Sequence, residues 1–204
     1  MATMNSGLGG PSGFGETVFS STGKDAGNND DGSIKVDVTP AFGAGGINYF
    51  GSTYTDIYVN SNGLITFDGP ETSYSPSGIA GLTDPAIAPF WTDIDITKGG
   101  EIYIDVDSGT GQVTVTWLDV AAFKDTENPG QNSFQIVLTS LGGGDFDVEF
   151  IYEDIQWTNG GFGTAEAGMK LLKAAGANIV AATFLVDLPE LGGADRLRGH
   201  GLHV

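Results

Sequence analysis

Asp93 and Asp95 stand at i and i+2 in the run Ile87-Ala88-Pro89-Phe90-Trp91-Thr92-Asp93-Ile94-Asp95. On an extended strand those positions project to one face, so two carboxylates lie side by side and repel each other. A hard cation such as calcium relieves that repulsion and takes further oxygen ligands from neighbouring loops. Asn60 and Asn62 offer such oxygens in the stretch Asn60-Ser61-Asn62-Gly63. Asp93, Asp95, Asn60 and Asn62 are therefore the candidate calcium ligands. The bland alternative is a solvated acidic strand face.

A second acidic set could do chemistry of another kind. On the run Asp147-Val148-Glu149-Phe150-Ile151-Tyr152-Glu153, the carboxylates of Asp147, Glu149 and Glu153 share one strand face. Paired carboxylates across a cleft hydrolyse glycosidic bonds. The spacing lacks the Glu-x-Asp-x-x-Glu pattern of familiar sandwich hydrolases, and an outward polar face accounts for the run. No nucleophile elbow is present, and His200 and His203, the only histidines, fall in the last five residues. Asn28-Asn29-Asp30-Asp31-Gly32 fails as an EF-hand loop, because the register that fits its glycine puts Gly27 and Val38 where carboxylates are required. Trp91, Trp117 and Trp157 sit inside strand-like runs and are read as core, whereas Tyr49, Phe50, Tyr54 and Tyr74 lie nearer loops and are the candidate partner-binding residues. The expectation is a protein that is not an enzyme.

The elements that must position these groups are strands. Among 204 residues there are 33 glycines and only 8 lysines plus arginines, which disfavours long helices. Ser33 to Thr39 alternates, with Ile34, Val36 and Val38 on one face. Ile57 and Val59 lead to a turn near Asn62-Gly63 and return through Ile65 and Phe67. Glu101 to Asp107 and Gln112 to Val120 form a second hairpin around Ser108-Gly109-Thr110-Gly111. Strands at 133–140 and 146–153 flank Gly142-Gly143-Gly144. Ala165 to Ala177 is read as strands on either side of a turn. Residues 69–86 and 124–132 read as irregular loops. The fold class is all-β: a two-layer antiparallel sandwich with long polar loops and little or no helix. Residues 1–15 form an extended Gly/Ser/Pro-rich arm that packs in part, and 16–204 the domain. The predicted core is Ile57, Val59, Ile65, Phe67, Phe90, Val115, Trp117, Phe134, Ile136, Phe150 and Tyr152.

Composition narrows the partners. A formal charge of -18 repels polyphosphate, so nucleic acid and anionic membranes are excluded as natural partners, while divalent cations suit the surface. Without cysteine there are no disulfides and no thiol catalysis. No stretch reaches the ~18 apolar residues of a membrane span, and Met1 to Gly7 has no signal-peptide character. That leaves a cytoplasmic protein, a C-terminal export signal or an excerpt whose leader has been removed.

Two segments resemble a known family. Phe50 to Asp68, with its Asn-Gly turn, and Ile87 to Asp95 are similar to the nidogen-like extracellular (NIDO) domain of animal matrix proteins and bacterial surface adhesins. Leu8-Gly9-Gly10-Pro11 and Asp31-Gly32-Ser33 look like the lead-in of the bacterial members. Ser133 to Leu138 and Phe150 to Trp157 resemble its paired later strands, and Ala167-Gly168 a following strand. The tail Arg198 to Val204 departs from the family's Asn-x-Gly-x-Pro-Gly ending. The resemblance implies a non-catalytic extracellular adhesion or matrix-interaction module of a surface or secreted protein that binds an extracellular protein or polysaccharide or associates with itself; the acidic pair Asp93 and Asp95 adds the expectation that calcium stabilises it. A carbohydrate-active β-sandwich enzyme of glycoside hydrolase type, or a carbohydrate-binding module, is the alternative.

Overall fold

The computed structural model describes residues 2–76, 78, 82, 84–124 and 130–169. The expectations for His200, His203, the 198–204 tail and the remainder of 165–177 lie outside the described residues. Among the described residues, thirteen strands and one short helix follow in chain order: β1 (Thr17–Val18), β2 (Ala26–Gly27), β3 (Gly32–Asp37), α1 (Thr39–Phe42), β4 (Ile47–Tyr49), β5 (Ser52–Tyr54), β6 (Asp56–Asn60), β7 (Leu64–Thr66), β8 (Ala86–Trp91), β9 (Glu101–Asp107), β10 (Gln112–Val120), β11 (Asn132–Gly142), β12 (Asp145–Ile155) and β13 (Glu166–Met169).

One sheet has the order β1-β9-β10-β11-β12, the other β13-β8-β7-β6-β3-β2, and β4 and β5 form a separate hairpin. All pairings are antiparallel. The sheets pack as a sandwich, as the alternating patterns imply. Between them lies one large apolar cluster containing Ile57, Val59, Ile65, Phe67, Phe90, Val115, Trp117, Phe134, Ile136 and Tyr152, with Phe150 packed half-buried against it. Trp117 stacks on Phe134 at 5.0 Å, and Phe90 of the opposite sheet meets Phe134 at 5.3 Å.

Strand β8 is buried at every position, so its run reads apolar throughout rather than alternating. Its proline is tolerated because the register with β13 shifts between Glu166 and Gly168, opposite the 89–90 step, where the prolyl nitrogen has no hydrogen to donate. The β6–β7 hairpin turns through Ser61-Asn62-Gly63, with Asn60 opposite Leu64. Gly63 has φ +81°, and a Cβ there would lie 2.0 Å from the Phe90 carbonyl oxygen. Only glycine fits that turn against β8.

The amino-terminal arm packs on the outer face of the first sheet. Met4 is buried against Val137 and Ile151, with Ala2, Phe14 and Leu118 beside them. The Gln135 amide clamps the arm in both directions: its Oε1 accepts the Asn5 N–H at 2.8 Å, and its Nε2 donates to the Asn5 carbonyl at 2.8 Å.

Candidate cation site and exposed aromatic surface

At one end of the sandwich, the β2–β3 turn meets the segment that follows β8. The Asn28 side chain accepts the N–H groups of Asp30 (2.7 Å) and Asp31 (3.2 Å) and so shapes the turn. The Ser61 hydroxyl donates to the Asp30 carbonyl and accepts the Gly32 N–H at 2.9 Å, tying that turn to the β6–β7 hairpin. These ties bring carboxylate oxygens of Asp30, Asp31 and Asp93 within 4.8 Å of one another.

Asp93 is 2% exposed, and its Oδ2 has no hydrogen-bond partner; Asp30 Oδ1 is likewise buried and unpartnered. Burial first, then the charges of Asp31, Asp30 and Asp95, push the Asp93 carboxyl up to about 7, with Lys98 pulling the other way. Burial, followed by Asp95 and Asp31, raises Asp30 to about 6.

The other predicted ligands are differently placed. Asp95 is buried but satisfied: Oδ1 accepts the Thr97 N–H at 2.9 Å and the Thr97 hydroxyl, and Oδ2 pairs with Lys98 at 3.0 Å. Burial pushes its carboxyl up, but the bonds from Thr97 and Lys98 outweigh that and hold it below its ordinary value. Asn60 donates to Leu64 O and Thr66 Oγ1 and accepts the Glu71 N–H at 2.9 Å, a hairpin-locking role. Asn62 sits between the two segments, donating to Asp31 Oδ1 at 2.8 Å and accepting the Ile94 N–H at 2.9 Å. The i, i+2 spacing thus points to one member of this carboxylate cluster, Asp93; Asp30 and Asp31 approach it through a tertiary contact that no spacing rule encodes.

Of the predicted partner-binding residues, Tyr49 is corrected: it is buried, its ring stacked on Phe67 at 4.3 Å and its hydroxyl donating to the Ala86 carbonyl at 3.1 Å. Phe50 and Tyr54 are half-buried against the core. The loop position of all three suggested a surface, but the β4–β5 hairpin folds its aromatics inward. Tyr74 is exposed (46%) and meets the exposed Phe162 (44%) at 4.9 Å. Phe123 continues the row 6.0 Å from Phe162, with Lys124 3.9 Å above the Phe162 ring and Lys98 3.9 Å above Phe123. Sequence reading missed Phe123, Phe162 and the two lysines. The exposed carboxylates Asp147 and Glu149 lie on β12, and Glu153 accepts the Met4 N–H at 3.1 Å.

A family model described as "NIDO related" matches residues 16–184. Alpha-tectorin of Mus musculus is 32% identical over 175 residues, covering 72% of this chain and 8% of that protein. Dendrite extension defective protein 1 of Caenorhabditis elegans is 32% identical over 145 residues, covering 60% of this chain and 12% of that protein. The chain therefore spans about a tenth of the length of these relatives. A shorter match of another kind joins it to adenine phosphoribosyltransferase of Bradyrhizobium diazoefficiens, 67% identical over 42 residues, 21% of this chain and 24% of the enzyme. No solved structure matches. No described helix is long and apolar enough to cross a membrane.

Proposed function

The chain belongs to the NIDO-related family, and from that membership we propose that it acts as a non-catalytic adhesion or matrix-interaction module of an extracellular, surface or secreted protein. The family match across residues 16–184 carries this reading, and the similarity to alpha-tectorin supports it. A bacterial adhesin setting is consistent with the lead-in residues Leu8 to Pro11 and with the bacterial source of the 67% identical stretch. That stretch covers a quarter of the phosphoribosyltransferase, so no transferase activity is carried over from it.

The binding surface in this reading is the row Tyr74, Phe162 and Phe123, where two exposed rings and the half-buried Phe123, flanked by ammonium groups, offer stacking area to a protein or a polysaccharide. The competing class, a glycosidase working through Glu149 or Glu153, is disfavoured because Glu149 is exposed on the outward side of β12 and Glu153 holds the arm. The test is turnover: the chain incubated with β-glucans, xylans and chitin is expected to release no reducing ends. Hydrolysis in the parent that disappears in Glu149→Gln or Glu153→Gln would overturn the proposal.

A further inference from the structure

We propose that Asp30, Asp31 and Asp93 form a calcium site that ties the β2–β3 turn to the segment following β8. The three carboxylates present oxygens within 4.8 Å of one another, close enough for a single ion to contact all of them. Asp93 is 2% exposed and its Oδ2 has no donor; Asp30 Oδ1 is buried and also has none. A buried carboxylate without a donor is unstable unless it is protonated or held by a cation. Protonating one residue leaves the rest of the cluster unbalanced, because the nearby ammonium groups are engaged elsewhere: Lys98 pairs with Asp95 at 3.0 Å, and Lys24, which lines the same depression as Asp30, donates to the Phe19 and Thr22 carbonyls.

The donor set is oxygen alone, which selects a hard cation over zinc or copper. Asn62 orients Asp31 through a 2.8 Å bond and fixes the backbone at Ile94, the kind of outer support that holds metal ligands in place. Asp30 also lines a shallow depression with Ser20, Thr22, Lys24, Asn28, Asn29 and Thr97, through which an ion can reach the cluster from solvent; the Lys24 ammonium there is held by the Phe19 and Thr22 carbonyls. The ligands come from segments about sixty residues apart in sequence, so binding cross-links the end of the second sheet.

Calorimetric titration of the full chain with calcium chloride tests the site, alongside thermal melts in calcium chloride, in sodium chloride of matched ionic strength and in chelator. Expected is one saturable site with Kd in the ~10⁻⁴–10⁻³ M range typical of extracellular modules, and a melting temperature raised by calcium beyond the salt control. Asp93→Asn and Asp31→Asn should each abolish the calcium-specific rise. In chelator Asp93→Asn should melt no lower than the parent, since it removes a buried unpaired charge; a purely structural role for Asp93 would make it melt lower. Asp31→Asn keeps an oxygen for Asn62 and guards against a folding defect in the first variant. Equal calcium responses in the parent and both variants, or no calcium-specific response in the parent, would overturn the site. No partner is needed, so this result is independent of the proposed adhesive role.

Discussion

Tyr152, on β12 of one sheet, donates its hydroxyl at 2.6 Å to the carbonyl of Pro89 on β8 of the other. The same device recurs where Trp117 Nε1 donates to the Ser61 carbonyl at 3.0 Å, and Tyr49 of the separate β4–β5 hairpin is tied to β8 in a similar way, donating to the Ala86 carbonyl at 3.1 Å. Large aromatic side chains fill the space between the sheets while their polar tips satisfy backbone carbonyls of the facing layer, so the sandwich is registered as well as filled. Tyr152→Phe keeps the ring and strands the Pro89 carbonyl. It is expected to lower unfolding stability by about 1–3 kcal/mol, read as a lower urea midpoint at unchanged m-value.

Alkaline pH should attack the same contacts. Burial pushes the phenols of Tyr152 and Tyr49 above their ordinary value, with a smaller push on Tyr49 from Tyr54. The folded state therefore holds these protons more tightly than the unfolded chain does. The associated stability is fully present below the unfolded value of about 10 and is lost as pH rises from there toward the folded values. Urea midpoints should fall steeply above that pH, and less steeply in Tyr152→Phe; a slope unchanged in that variant would exclude Tyr152 as the titrating group.

Gly63→Ala should be among the most damaging small substitutions. It combines a φ of +81° with a Cβ placed 2.0 Å from the Phe90 carbonyl, and that backbone cannot move without breaking β8. The expected loss is several kcal/mol, on the order of 3. Gly51→Ala has a similar φ of +82° with open space around it and serves as the control, with a cost of about 1 kcal/mol.

The strands were legible because their periods are local. Ile34, Val36, Ile57, Val59, Val113 and Val115 alternate as an antiparallel sandwich requires, and the Asn62-Gly63 turn marks its own hairpin. The acidic cluster was legible only by halves. Asp93 could be picked out by its spacing from Asp95, but whether Asp95 was free depended on Thr97 and Lys98 folding back onto it. The inward turn of Tyr49 and the meeting of Tyr74 with Phe162 are likewise set by how distant loops pack, which no residue pattern encodes.

The amino-terminal arm is expected to contribute to stability rather than trail in solvent. Gln135→Ala removes both bonds to Asn5 and the bond to Thr116. It should cost about 1–3 kcal/mol and speed proteolysis within residues 2–14. Unchanged cleavage in that segment would show that the apolar contacts of Met4 alone hold it.

The adhesive role is tested most directly by a binding titration of the full chain against immobilised collagen, laminin, fibronectin and neutral polysaccharides, with the Tyr74→Ser, Phe162→Ser double variant beside it. Both residues are exposed, so the variant should fold and melt as the parent does. Expected is saturable binding to at least one surface, weakened about tenfold or more in the variant, as loss of a buried aromatic anchor implies. Binding to none of these surfaces, or binding that the double substitution leaves unchanged, would contradict the assignment of this face as the contact surface.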